Sequence, residues 1–298
     1  MEIAPAAGGP GVNPTATAVA WIGGSWGAPE ELQLPLADRG LQLADGLFET
    51  VWVEGGRPQL LQAHLRRWHH GAQLLGMAPP PTEAALEPLL QEAISRAGGQ
   101  GALRLNWSRG NHRGRGLDLP EPPPMAEQHR FWLQLTPCRA TFTPLTAIVS
   151  RQERRNGSSL LSRCKTFAYG QAIQARREAR GAGADEALLL GNGGELSCGA
   201  SANVLVQRRG RWLTPALDSG CLAGVMRGRL LELGLAAEAR LEAAAEPGDR
   251  WLLINSLSCR PVLKLEGQPL GDWPGAAADA ERLWRRLLVP AGLDQLQP

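Results

Sequence analysis

Short apolar stretches with strand-like alternation recur along both halves of this chain, and glycine-rich turns separate them. AVAWIGG, ALRLNWS, HRFWLQLTP, TAIVS, ADEALLL, SANVLV and WLLINS all read this way, whereas only four or five stretches carry the three- and four-residue spacing of an amphipathic helix. A chain built so must form sheets covered by a few helices, so the expected class is α+β with two domains. At 298 residues it can bury a substantial core without disulfides. The reading along the chain gives a loose segment over residues 1–16, a smaller domain over 17–141 and a larger one over 142–298. Residues 36–53 read as strand, tight turn and strand, and Gly55-Gly56 as a hairpin turn. Leu65, Trp68, Ala72 and Leu75 predict one helix. Thr82 caps a second, with Leu86, Leu89, Leu90 and Ile94 inward. A helix is predicted from just after Lys165 to about Arg180, with Phe167, Ile173 and Ala179 among its apolar positions, another from near Gly224, and a last one at ERLWRRLLV.

The remaining composition excludes several functions. The cysteines Cys138, Cys164, Cys198, Cys221 and Cys259 are odd in number and form no CxxC pair, which points away from a disulfide framework or zinc ribbon and toward a reducing, cytoplasmic setting. His64, His69 and His70 lack partners at ligand spacing, so no metal is expected. A net charge of +2 gives no field for nucleic acid, and RGNHRGRG lacks interleaved aromatics. No apolar run reaches the length of a membrane span, and the N-terminus does not have the pattern of a signal peptide.

Lysine usage is more informative. Of 31 basic residues only Lys165 and Lys264 are lysines, leaving 29 arginines. Arginine stays protonated and forms no Schiff base, so any amine chemistry falls to one of these two. Lys264 lies in PVLKLEG, an alternating strand, and is expected to face solvent. Lys165, in LLSRCKTFAYG, lies at the junction of a strand end and a helix start. GCLAGVMRG can present the backbone N–H groups of Val225 and Met226 at a helix start, a place for a phosphate. Arg67 in HLRRW can make a bidentate contact to the same group.

In order, DRGLQLADGLFET, HLRR, RLNWSRG, KTFAY, AGADEALLL, SANVLV, GVMR and NSLSCRPV resemble the class IV aminotransferases, pyridoxal-phosphate (PLP) enzymes of fold type IV, over residues 36–265. That family includes branched-chain and D-amino acid aminotransferases and 4-amino-4-deoxychorismate lyase. The resemblance implies a D-amino acid aminotransferase-like fold, with a smaller N-terminal α/β domain and a larger β-rich C-terminal domain. It also implies PLP as cofactor, a small-molecule substrate and a homodimer with its active site near the subunit boundary.

Position by position, Lys165 matches the lysine that joins the cofactor and moves protons, and Arg67 the phosphate-binding arginine. Tyr169 matches the tyrosine at the cofactor's phenolic oxygen, Val225 and Met226 the amides at the phosphate, and Asn255 or Ser256 a side-chain phosphate contact. The glutamate that the family sets against the pyridine nitrogen, five residues before the asparagine of SANVLV, is Cys198 here. A thiol there weakens pyridinium formation, which harms amino transfer more than a reaction whose product is aromatic. Thr50, the arginine loop with Arg104, Arg109, Arg113 and Arg115, and Leu257 in NSL all lean toward the lyase, with Thr50 or Lys165 as proton donor and Arg104, Arg109 and one of Arg113 or Arg115 on the substrate carboxylates. The resemblance therefore implies pyruvate elimination from aminodeoxychorismate to give p-aminobenzoate for folate. An aminotransferase acting on a branched-chain or D-amino acid is the runner-up, and a weakly active or non-catalytic PLP-binding dimer a third reading.

Overall fold

In the computed structural model the structure describes residues 17–111, 116–119 and 121–289. The expected loose segment at 1–16, and Arg113 and Arg115, lie outside the described residues. The chain divides into two compact units between Arg139 and Ala140.

The first unit contains β1 (Val19–Ile22), β2 (Ser25–Gly27), α1 (Arg39–Leu43), β3 (Gly46–Glu54), β4 (Arg57–Pro58), α2 (Leu61–Leu74), α3 (Glu83–Arg96), β5 (Gly101–Ser108) and β6 (Arg130–Thr136). Its six strands pair antiparallel in the order β2-β1-β6-β5-β3-β4. The two-residue period divides the sheet. Leu47, Val51, Val53, Leu103, Leu105, Leu133 and Leu135 are buried on one face, where Leu47 meets Gly71 of α2 and Phe131 meets Trp68. Phe48, Thr50, Arg104, Asn106, Trp132 and Gln134 alternate with them onto the opposite face. Residues 39–43 correct the strand expected there: they form a helical turn. Asp38 caps it by accepting from the Gly40 N–H at 2.8 Å, and Ala44 ends it in the left-handed conformation. The predicted Thr82 cap is present.

The second unit contains β7 (Leu145–Arg155), α4 (Gly170–Gly181), β8 (Glu186–Gly191), β9 (Leu196–Gly199), β10 (Asn203–Arg208), β11 (Arg211–Pro215), α5 (Val225–Glu232), β12 (Ala236–Ala239), β13 (Arg250–Asn255), β14 (Ser258–Leu265), β15 (Gln268–Pro269) and α6 (Ala276–Leu288). The sheet runs β12-β11-β10-β13-β14-β7-β8-β9, with β15 on β14. Asn203 of β10 also pairs with Cys198 of β9, which closes six strands into a ring. Leu145, Leu188, Leu196, Val204, Val206, Trp251, Leu253 and Val262 form the core inside it. Ala175 and Ala179 of α4 pack outside against Ala187, Leu189, Cys198 and Cys221, small residues that let the helix approach closely. Ile173, expected among the helix's apolar positions, is instead 60% exposed because the alanines form the buried stripe. The helix also starts later than predicted, at Gly170, leaving Phe167 outside it.

Candidate active site

Lys165 follows a 3₁₀ turn at Leu160–Arg163 and precedes α4 by five residues, in a stretch without regular structure. Its Nζ donates to the Tyr169 hydroxyl at 3.0 Å and lies 5.5 Å from the centre of that ring. Tyr169 is the N-cap residue of α4, so the helix fixes the phenol and the phenol fixes the amine. Lys165 is half-buried, while Lys264 is exposed.

Cys198 is held by an irregularity. Leu189 pairs with Cys198 and Leu190 with Leu196, so Ser197 is an extra residue in β9. Such a bulge re-aims the next side chain. Leu196 enters the ring's interior, while Cys198 packs beneath α4. Burial pushes the Cys198 thiol up to about 11 although the charge of Arg155 pulls the other way, so the side chain is neutral at physiological pH.

Asn203, opposite Cys198, donates from Nδ2 to the Leu222 carbonyl at 2.9 Å. This contact sets the approach to α5. The N-cap of α5 is Gly224, with no side-chain cap, and its first turn carries no acidic residue. A Cβ at 224 would come within 1.9 Å of Asn203 Oδ1, so only glycine lets the chain turn there. The start of α5 at Val225 and Met226 therefore has no side-chain cap, the kind of helix end that can receive an anion. The β13–β14 turn separates the two alternatives at 255 and 256. Asn255 spends its Oδ1 on the Leu257 N–H (2.8 Å) and the Ser258 hydroxyl (3.0 Å), and its Nδ2 on the Ser201 carbonyl (3.2 Å). Asn255 thus shapes the turn. Leu257 is tied to the same turn, its carbonyl accepting from the Thr141 N–H at 3.0 Å.

In the first unit Thr50 and Arg104 are cross-strand partners on the face away from the helices. Arg104 donates from Nε to Asn106 Oδ1 at 2.7 Å, and its guanidinium lies 3.7 Å from the centre of the Phe48 ring. Its plane is fixed by an amide and an aromatic face. Arg67 lies on α2 and meets Glu49 of β3, where Nε and Nη2 donate to the carboxylate at 2.8 and 2.6 Å. Since β4 pairs only with Val53 and Glu54, β3 is the outer strand at Glu49, and Arg67 and Thr50 flank the same sheet edge from its two sides.

Arg109 corrects the sequence reading of a substrate-facing group. It is 4% exposed, and it donates to Asp45 Oδ2 (2.9 Å) and to the Gly76 (3.0 Å) and Leu75 (2.9 Å) carbonyls. Arg39 shares the same Asp45 oxygen at 2.8 Å. Arg109 therefore fastens a loop to the end of α2. Its partners lie 33 to 64 residues away in sequence, which local spacing cannot reveal. Phe48, Glu49 and Asn106 are not singled out by the sequence, and Asn203 enters there only as the residue from which position 198 is counted. The signals were available in part: Asn106 follows Arg104 by two on one strand, and His64 precedes Arg67 by three on one helix. Among the described residues no helix is long and apolar enough to cross a membrane, and no cluster of three acidic, histidine or cysteine side chains is placed to hold a metal ion.

A half-buried amine beside a phenol, and a glycine-started helix with an uncapped end, fit a cofactor bearing an aldehyde and a phosphate. Comparison with known proteins agrees. The chain is 26% identical over 275 residues to the aminodeoxychorismate lyase of Bacillus subtilis, covering 88% of this chain and 92% of that one. It is 26% identical over 260 residues to the D-alanine aminotransferase of Bacillus licheniformis, covering 81% and 86%. Its fold superposes on a hypothetical aminotransferase from Mycobacterium tuberculosis in a PLP-bound form, with a TM-score of 0.76, 23% identity and coverage of 91% and 99%. The family model for amino-transferase class IV matches residues 46–265, and the chain belongs to that family of PLP-dependent enzymes.

Proposed function

We propose that this enzyme is a 4-amino-4-deoxychorismate lyase, which eliminates pyruvate from its substrate and leaves p-aminobenzoate. The observation that carries the reading is the neutral, buried thiol of Cys198, at the position where the family resemblance places a carboxylate against the pyridine nitrogen. When bound, PLP would supply an electron sink for the substrate's reacting carbon. An uncharged partner at the ring nitrogen makes that sink shallower. Amino transfer depends on a deep sink; an elimination that creates an aromatic ring draws its driving force from the product.

The side chains divide the work. Lys165, poised on Tyr169 at 3.0 Å, would hold the cofactor's aldehyde end through its Nζ and, as a free amine, would take the proton from the substrate's ring carbon bearing nitrogen. The enolpyruvyl oxygen departs with a proton from Thr50 or Lys165, and the released enol becomes pyruvate. Arg104, held flat by Asn106 and Phe48, offers a guanidinium edge to a substrate carboxylate, a role that one of Arg113 or Arg115 shares in this reading. The Val225 and Met226 amides, Ser256 and Arg67 bind the phosphate. The protein acts as a homodimer in this reading.

Two assays on the purified, PLP-loaded protein test the proposal. With aminodeoxychorismate alone, pyruvate and p-aminobenzoate should form in equal amounts. If no pyruvate forms, while D-alanine or a branched-chain amino acid passes its amino group to 2-oxoglutarate, the aminotransferase reading replaces this one. Binding of PLP with neither activity would leave a non-catalytic protein.

A further inference from the structure

We infer that Glu49 and His64 are positioning residues that orient Arg67 for the cofactor phosphate; the inference rests on the proposed phosphate contact of Arg67. Glu49 points from β3 toward α2 and is 1% exposed. Three donors converge on its carboxylate: Arg67 Nε on Oε1 at 2.8 Å, Arg67 Nη2 on Oε2 at 2.6 Å, and His64 Nδ1 on Oε2 at 2.7 Å. His64 and Arg67 stand three residues apart on one face of α2, so a single strand carboxylate receives both.

A surface ion pair would not need this arrangement. A guanidinium has five N–H groups in a rigid fork. A carboxylate that takes the Nε and one Nη2 proton side-on fixes the plane of the fork and the direction of its remaining edge. The side chain of Arg67 is 13% exposed, whereas Glu49 and His64 are both 1% exposed. The pair is therefore sealed on the carboxylate side and reaches the surface only through the arginine. Burial alone would raise the Glu49 carboxyl, but the Arg67 charge and the bonds from His64 and Arg67 hold it down at about 2. It stays ionised across the working pH range, as an orienting group must. His64 donates through Nδ1 and thereby holds Glu49 against rotation.

The test compares affinity for PLP with affinity for pyridoxal, the same aldehyde without phosphate, using the absorbance of the bound form on the cofactor-free protein. Arg67→Met should weaken PLP binding about 10- to 100-fold, the worth of a charge-assisted contact, and leave pyridoxal binding within about twofold. Glu49→Gln should weaken PLP binding about tenfold, again sparing pyridoxal, and should add nothing further in the Arg67→Met background. His64→Leu should act in the same direction as Glu49→Gln. His64→Asn keeps a donor near the Nδ1 position and should restore PLP affinity. The His64 pair also decides the matter if Glu49→Gln does not fold.

If Arg67→Met leaves the PLP-to-pyridoxal ratio unchanged, the phosphate role of Arg67 is wrong. If Arg67→Met moves that ratio but Glu49→Gln and His64→Leu do not, or if they weaken both ligands alike, the positioning inference is overturned while the phosphate role stands.

Discussion

Replacing Cys198 with glutamate tests the electrostatics at the centre of the proposed function. The thiol is pushed from 9.0 to about 11 by burial. At pH 7.5 that leaves only about 0.03% as thiolate. The same rise of two units means that a negative charge at this spot costs on the order of 3 kcal/mol more than in water. A glutamate placed among Ala175, Ala179, Ala187, Leu189 and Cys221 meets that cost and adds a crowding term of about 1–3 kcal/mol. The crowding is the same with and without cofactor. The charge term is not, because a protonated pyridine nitrogen opposite the carboxylate returns part of it.

The assay is thermal unfolding of wild type and Cys198→Glu, each with and without saturating PLP. The variant should be less stable than wild type in the cofactor-free form. PLP should then raise its Tm more than it raises that of wild type, by roughly 2–4 °C for each kcal/mol recovered. A recovery of about 1–3 kcal/mol is expected. Amino transfer relative to pyruvate release should rise in the same variant. Equal PLP-induced shifts in the two proteins would show that position 198 does not face the ring nitrogen, and the argument from a shallow electron sink would fall with it.

Three further outcomes follow from the geometry. Arg109→Ala should lower stability by about 2–4 kcal/mol, since it strips partners from Asp45 and from two carbonyls; denaturant unfolding measures this, and a raised KM with unchanged stability would restore Arg109 to the substrate site. Gly224→Ala should push Asn203 aside, because the new Cβ falls 1.9 Å from its Oδ1, and PLP affinity should drop about tenfold or more if α5 holds the phosphate; unchanged affinity would remove the cradle from that helix. The Glu49 carboxyl sits at about 2 in the folded chain against an ordinary 4.5, a lowered value, so its stabilisation is complete above about pH 4.5 and is lost as pH falls toward 2. The amount is on the order of 3 kcal/mol, and the slope of stability between pH 5 and 3 should be shallower in Glu49→Gln than in wild type.

Periodic and local features could be read from the chain before its structure. The Leu65-Trp68-Ala72 stripe gives α2, the alternation of ALRLNWS gives β5, and Gly224 before Val-Met gives the start of α5. A feature set by distant partners could not. LQLAD alternates like a strand, yet it winds into α1 because Asp38 caps it and Arg39 is drawn to Asp45. Arg109 carries the charge of a substrate ligand, and a carboxylate 64 residues away decides otherwise. Asn255 and Ser256 are indistinguishable by spacing until three hydrogen bonds assign Asn255 to the turn. Ser197 gives no sign in its sequence that it is the surplus residue redirecting Cys198.

Asn203 ties these separate features into one piece of chemistry. Its backbone pairs with Cys198 and closes the ring of strands, and its amide holds the Leu222 carbonyl two residues before Gly224, the N-cap of α5. The candidate contacts for the ring nitrogen and for the phosphate are therefore both referred to one residue of β10. Lys165 is carried differently. It sits in an irregular stretch and is oriented by a hydrogen bond to Tyr169 at the mouth of α4. In the proposed reaction this amine would have to engage and release its partner, and such a setting suits it, because the side chain can swing while the strand carrying Cys198 and the start of α5 keep their places.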